Sequence, residues 1–500
     1  MIETTTATAL KRSQTSESRF EQSSLFVLLA LFALGAGSLW LYFWGRDLHR
    51  FTQWIAAYIG LFIGQVAFYL AACYLVLRHR VSSRILTWTT LALIVFFSIG
   101  FRAVLVPQRP YLSADVYRYV WDGDVQAAGI NPYRYAPDAD ELNGLRDDKI
   151  FPNITADDKR WLSPYPPAAQ SVFLIVSLIR PLSVTAFKAA MASFDVIAML
   201  ALMLVLARNG LDPARVIVFA WHPLLIFEGA HSGHVEGVLI AFLALALLAW
   251  SLNKNALAGA ALALATLVKF YPVLLLPVFL IARPNILQEE HASLGVQSGN
   301  GFLRPVLRRV VHKHNFAILA SFVITIALAY APYASAGKKV FGFLQDYLQG
   351  EGFIQGGTRY FLLDVLRRLF PVPTPLFVIP AAAFLAFVAF GVLFSTRRDA
   401  VDQARGALVL IGSYLILTTP RYAWYYSWLI PFLCLVPRAA WLYLTCASAL
   451  LYLLWYTPLV YPGIPPWLGA CLFLPTLALL AWERVKRRSE TDAAPALASS

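Results

Sequence analysis

Ser113-Ala114-Asp115-Val116-Tyr117-Arg118-Tyr119-Val120-Trp121-Asp122-Gly123-Asp124 lies in a polar stretch, residues 107–165, inside a chain that is otherwise almost continuously apolar. The apolar runs on both sides reach the roughly 20 residues that carry a helix across ~30 Å of hydrocarbon. Carboxylates lodged between membrane helices cost on the order of 2.5–3.5 kcal/mol each even on a mild insertion scale. Packing alone does not account for Asp, Arg, Tyr and Trp at this density. The stretch marks a reaction or recognition site beside one membrane face.

Working outward, the 500 residues are 59% hydrophobic and 14% charged. A soluble chain of this length needs a far more polar surface. The fold class is therefore all-α, a polytopic membrane protein. Segments fall at 24–44, 54–77, 85–106, 184–207, 214–230, 235–252, 256–269, 270–283, 316–334, 375–395, 405–419, 426–438, 440–456 and 467–483. That is about 13–14 membrane helices. The net charge of +13 sits mostly in short loops, a pattern of membrane orientation and not of phosphate-backbone binding. Nucleic acid is excluded as a partner, and the lipid bilayer is the expected surrounding. The four cysteines lie in apolar segments without CxxC spacing and read as packing residues. The polar first 23 residues show no small-residue cleavage site, so the first apolar run reads as a retained anchor.

The basic loops around Arg12, Arg80, Arg208, Arg308, Arg397 and Arg487 are expected in the cytoplasm. The scheme closes if 256–283 is a hairpin of two short helices meeting near Lys269-Phe270-Tyr271-Pro272, with Pro272 supplying the break. It gives a cytoplasmic tail 1–23, one integral-membrane domain 24–483, and a tail 484–500 that reads as disordered. Within the domain, 107–183 is a large extracytoplasmic loop with interfacial helices, 284–315 a cytoplasmic loop and 335–374 a second extracytoplasmic loop. The turn Phe227–Val235, the Lys269 bend and residues 419–427 share the outer face with them.

Several groups on that face can do chemistry. Asp115 and Asp122 are seven residues apart, which on a helix returns within about 20° of the starting direction. They are expected to share a face with Arg118 and Tyr119. Such a cluster suits deprotonating a hydroxyl or holding a divalent cation, Mg or Mn, against a phosphate; an interfacial helix with paired Asp and Arg is the plainer alternative. Gly129-Ile130-Asn131-Pro132-Tyr133 reads as a turn, mainly scaffolding, although Tyr133 could stack on a sugar. His231 and His234, flanked by Glu228 and Glu236, are compatible with metal ligation or with hydrogen bonds to a pyranose or phosphate. Lys269 ends an apolar run, where a cation needs an anion; a lipid phosphate supplies one, and snorkelling to the headgroups is the alternative. Arg359 and Arg421 lie on the same face, and Tyr425 belongs to an aromatic run that would also serve as an interfacial belt.

Taken in order, these pieces resemble the GT-C superfamily of membrane glycosyltransferases. The resemblance is nearest to polyprenyl-phosphate-mannose-dependent mannosyltransferases, bacterial α-mannosyltransferases and the catalytic subunit that adds the first mannose in GPI-anchor assembly. It rests on Asp115 to Asp122, Gly129 to Tyr133, Tyr165-Pro166-Pro167, Phe187 to Asp195, His222-Pro223 with Ser232 to Glu236, Lys269 to Pro272, and Trp424-Tyr425 ahead of Pro431. The resemblance implies an inverting transfer of a hexose, mannose favoured, from a polyprenyl-phosphate donor to a glycan, glycolipid or protein acceptor. It implies Asp115 as catalytic carboxylate, with Ser232 to Glu236, His234 among them, and Lys269 lining the site; Arg118, Tyr119, Asp122, Tyr133, His231, Arg359, Arg421 and Tyr425 are the further candidate substrate contacts. The eukaryotic relatives carry D-x-D where this chain reads Ser113-Ala114-Asp115. A lone base is then the simpler reading, with a divalent cation at Asp115 and Asp122 the other. The implied location is a bacterial inner membrane with the site facing the periplasm. A lipid-linked sugar transporter and a non-catalytic partner subunit are the rivals. Carriers place charge near the midplane and show repeat symmetry; here the polar residues gather at one face and no repeat is visible.

Overall fold

Long runs without charge leave each backbone N–H and C=O to be satisfied inside its own segment, and only helices do that in an open chain within lipid. A computed structural model describes residues 25–48, 53–79, 84–280, 313–344, 348, 360–395, 399–455 and 464–497. Among these residues there is no strand. The principal helices are α1 (Leu25–Gly45), α2 (Trp54–Arg78), α3 (Arg84–Leu105), α4 (Asp115–Ala127), α5 (Pro167–Ile179), α6 (Val184–Arg208) and α7 (Glu236–Ser251). They continue as α8 (Asn255–Thr266), α9 (Lys313–Tyr330), α10 (Phe361–Leu369), α11 (Thr374–Phe394), α12 (Ala400–Thr418), α13 (Ala439–Ala447) and α14 (Pro466–Leu497).

Among the described residues, eight helices are long and apolar enough to cross a membrane: α1, α2, α3, α6, α9, α11, α12 and α14. The apolar helices α5, α7, α8 and the stretch Ala439–Leu454 are shorter. The chain is an all-α, multi-pass membrane protein. Burial sorts the helices. α7 is buried almost all round, between α6 and α8, whereas α11 turns Phe384, Phe387 and Phe390 outward, as a lipid-facing helix does.

Three segments that read as single helices are broken. The stretch 214–230 becomes a succession of short turns, Pro213–Val216, Ile217–Ala220, Pro223–Leu225 and a π-helical Ile226–Ser232. Residues 270–280 form Tyr271–Leu275 and Leu276–Phe279, and 426–438 holds only Ala423–Leu429 and Ile430–Leu433. Prolines 213, 223, 272, 277 and 431 explain the interruptions, since each removes a helix donor. In the other direction, α14 continues to Leu497 through the tail expected to be disordered, because Lys and Arg, followed by Ala, are good helix formers. The expected tail 1–23, residues 284–312 of the cytoplasmic loop, Arg80, Arg397, Arg398 and Arg359 lie outside the described residues.

The polar loop is held on the bundle by α4 and α5. Ser113 Oγ accepts the Asp115 N–H at 3.2 Å, an acid opens the helix where its dipole is positive, and Gly129 at φ +80° closes it. α4 lies so close to α5 that a Cβ on Gly123 would stand 2.5 Å from the Phe173 carbonyl oxygen. Pro167 opens α5, and its Ala168 and Ala169 N–H groups donate to the Leu267 carbonyl at 3.0 and 3.2 Å. That contact brings the loop to the Lys269 bend.

Candidate active site

Asp115 opens α4 with its side chain 29% exposed. Its Oδ1 accepts the Ser113 hydroxyl at 3.0 Å and its Oδ2 the Tyr119 hydroxyl at 3.5 Å. Facing Oδ2 at 3.7 Å is Nε2 of His234. His234 comes from the turn after the π-helical stretch, where Gly233 takes φ +76°. A Cβ at Gly233 would sit 2.9 Å from Lys188 Cγ and 3.1 Å from Val116 Cγ2, so both the backbone angle and the close approach require glycine. The wide π turn places the His234 N–H on the Glu228 carbonyl at 2.9 Å, and π turns are frequent at functional sites.

The imidazole is held by a carboxylate and a ring. Its Nδ1–H donates to Glu228 Oε2 at 2.9 Å, and Trp424 covers its ring with centroids 4.0 Å apart. Tyr452 O–H donates to the other oxygen of Glu228 at 2.7 Å. Burial disfavours the charged imidazole, but the hydrogen bond and charge of Glu228, joined by the charges of Asp115 and Glu236, outweigh it and raise the His234 pKa above its ordinary value.

Two residues further on, Glu236 begins α7, and Lys269, just past the end of α8, donates to its Oε1. The Lys269 ammonium also lies 4.8 Å from the centre of the Tyr425 ring. Tyr271, within electrostatic reach of Glu236, stacks on Trp428 at 3.3 Å. Glu236 Oε2, Tyr271 Oη and Trp428 Nε1 are buried and find no hydrogen-bond partner among the described residues. Buried polar atoms are nearly always partnered, so three such groups beside one ion pair have free capacity to bond a polar ligand.

Behind this wall stands a buried brace. Arg102 of α3 pairs with Asp195 of α6 at 3.1 Å. A Cβ on Gly229 or Gly237 would come within 2.7 or 2.9 Å of the Asp195 carboxylate or its close neighbours. The two glycines let both arms of the His234 turn rest on that pair.

Of the residues singled out in the sequence, Asp115, Tyr119, His234, Glu236, Lys269 and Tyr425 come together. Arg118 and Asp122 do not join them. Both are buried and pair with each other at 2.8 Å. Arg118 donates to the Asp158 and Trp161 carbonyls, and Asp122 accepts from Ser163 and Gln170. Seven residues of helix separate the two carboxylates by about 10 Å along the axis, so a shared direction does not make a shared site. Tyr133 donates to the Tyr165 carbonyl at 2.7 Å and packs on Tyr333, which makes it scaffold. His231 is buried against Tyr111, ring centroids 4.0 Å apart. Arg421 bonds the Tyr422 hydroxyl at 2.8 Å. Among the described residues no three His, Cys, Asp or Glu are placed to hold a metal ion.

Sequence reasoning left Glu228, Tyr452, Ser113 and Trp424 without a role. Glu228 stood in the right motif, but six residues before His234 is not a helical neighbour, and only the π turn joins them. Nothing in the sequence around Tyr452 signals its place.

A family model described as "Alpha-(1->6)-mannopyranosyltransferase, N-terminal domain" matches residues 24–284, which contain the Asp115, His234 and Lys269 cluster. No curated protein and no solved structure matches the chain.

Proposed function

The chain belongs to the alpha-(1->6)-mannopyranosyltransferase family, and on that premise we propose that it takes mannose from a polyprenyl-phosphate donor and passes it to a glycan hydroxyl at the extracytoplasmic face. A mannosyltransferase activity and a multi-pass membrane setting follow from family and fold. The donor, the face and the residue roles are our reading. One observation carries it: Asp115, from the polar loop, and Lys269, from the bend after α8, meet on the same short stretch through His234 and Glu236.

The chemistry is as follows. An acceptor hydroxyl attacks the anomeric carbon, its proton passes to the Asp115 carboxylate, and the bond from that carbon to the phosphate oxygen breaks. Polyprenyl phosphate leaves with the bonding electrons, and the anomeric centre inverts. An α-linked product formed with inversion requires a β-linked donor. Lys269 stands where the leaving phosphate gains charge, in a half-dry setting that strengthens the attraction. The unpartnered atoms of Glu236, Tyr271 and Trp428 supply acceptors and donors for sugar hydroxyls, and the neighbouring rings supply faces to stack on. The lipid anchor keeps the donor at the interface, so the helices need only align two groups already held near one plane.

The test is incubation of the purified full-length protein with a panel of polyprenyl-phosphate sugars, scoring released polyprenyl phosphate with and without chelator. Release from the mannose donor alone, unchanged by chelator and abolished in Asp115→Asn while the variant remains folded in the membrane fraction, is the expected result. Substantial transfer by Asp115→Asn would remove that residue from the reaction. A transporter would move the lipid-linked sugar across vesicles without releasing polyprenyl phosphate.

A further inference from the structure

Glu228 is buried to 1% of its surface, yet it does not touch the exposed side of the site. A carboxylate so placed is expensive unless its partners are well arranged, and an apolar side chain of similar size would serve packing equally well. Its two oxygens are divided between two donors, Nδ1–H of His234 at 2.9 Å and the Tyr452 hydroxyl at 2.7 Å. The first bond makes Nδ1 the donor and turns Nε2 toward Asp115, 3.7 Å away. A second tie, from the His234 N–H to the Glu228 carbonyl, keeps imidazole and carboxylate in register.

We infer that Glu228 is a positioning residue for the transfer step, acting through His234 to hold the Asp115 carboxylate in its attacking orientation. The inference rests on the reading of Asp115 as base. The Glu228 carboxylate favours the protonated ring, whose Nε2 side then faces Asp115 as a donor, and the Asp115 carboxylate is drawn to one rotamer, its Oδ1 steadied by Ser113. Removing the charge at 228 shifts the imidazole toward its neutral form. Nδ1–H is still accepted by residue 228, so Nε2 then offers a lone pair to a carboxylate and repels it. The Nδ1–H contact at residue 228 is kept, with the Tyr452 hydroxyl turned to accept from the new amide, while the orientation of Asp115 is lost.

Glu228→Gln separates this from a role in packing. With a polyprenyl-phosphate β-mannose donor and a short α-(1→6)-linked mannooligosaccharide acceptor, kcat should fall on the order of 10²-fold, with both KM values within about threefold of wild type and the protein still folded in detergent, its melting temperature lowered by the lost His234 charge. Glu228→Asp, which restores the charge, should recover about tenfold of the lost kcat. A Glu228→Gln enzyme with wild-type kcat overturns the inference; so does a loss shared by kcat and KM that Asp does not relieve. Should Glu228→Gln fail to fold, His234→Gln carries the same test, and wild-type kcat in that variant is equally decisive against it. An inactive Asp115→Asn beside a fully active Glu228→Gln would sink this inference alone, whereas an active Asp115→Asn would sink the reading of the base as well.

Discussion

At the residue scale, two carboxylates of the site flank one imidazole and the third takes the ammonium: Asp115 faces His234, Glu228 holds His234 from behind, and Glu236 takes Lys269. A donor phosphate arriving at Lys269 therefore competes with Glu236 for one ammonium. Lys269→Ala should raise the donor KM by about 10- to 100-fold, the range of one charged hydrogen bond, and leave the acceptor KM within about twofold. Initial rates over both substrate concentrations decide it, and a defect confined to the acceptor would contradict the phosphate role. His234 also links stability to pH. Its folded pKa lies above the unfolded value, so the protonated ring stabilises fully below the unfolded pKa, and that contribution is lost as pH rises through the folded one. Asp158, raised by burial and by the Asp115 charge, and Asp124, raised by burial, act with the same sign at lower pH. The melting temperature of the detergent-solubilised protein should fall with rising pH above neutrality, and His234→Gln should flatten that part of the curve. These partners were only half legible beforehand. Asp115, His234 and Lys269 are residue types that are costly at a membrane face and so announce themselves. Arg118 and Asp122 are of the same types and turned out to satisfy each other.

At the scale of elements, α4 is held by contact and not by sequence pattern alone. Tyr119 stacks on Phe173 of α5 with ring centroids 4.8 Å apart, and Gly123 admits the α5 backbone at the next turn. Gly123→Ala should force the helices apart, at about 1–3 kcal/mol for an overpacked contact, and should lower both the melting temperature and transfer activity by shifting Asp115. Gly144→Ala, in open space, is the matched control and should change neither. Long helices such as α2 and α6 were readable because their length and composition fit a bilayer. The broken stretches were not. A run of apolar residues looks the same whether it forms one helix or several short turns, and the π turn that carries His234 has no compositional mark.

At the scale of the whole molecule, α7 and α8 decide which groups share a face. α7 has 16 residues, about 24 Å of rise, and it leaves the site at Glu236; α8 returns to it before Lys269. On the proposed reading, the connection at Lys254 is expected on the opposite face from Asp115. With Asn143→Cys and Lys254→Cys placed separately in a Cys471→Ser background, a membrane-impermeant maleimide applied to right-side-out vesicles should label residue 143 directly. Residue 254 should label only after permeabilisation. The reverse pattern would put the site on the cytoplasmic side and remove the polyprenyl-phosphate logic.

From its sequence alone this chain reads as a membrane protein whose helices satisfy their own backbones, with a polar loop beside one face as the expected place of its chemistry. Those conclusions follow from transfer energetics, which are summed along the chain and need no coordinates. Only the tertiary structure decided which polar residues meet. Glu228 and Tyr452 are 224 positions apart, and Asp115 reaches His234 across more than a hundred. Such pairings depend on how helices pack and where prolines interrupt them, and the hydrophobic effect that drives the packing has no direction of its own.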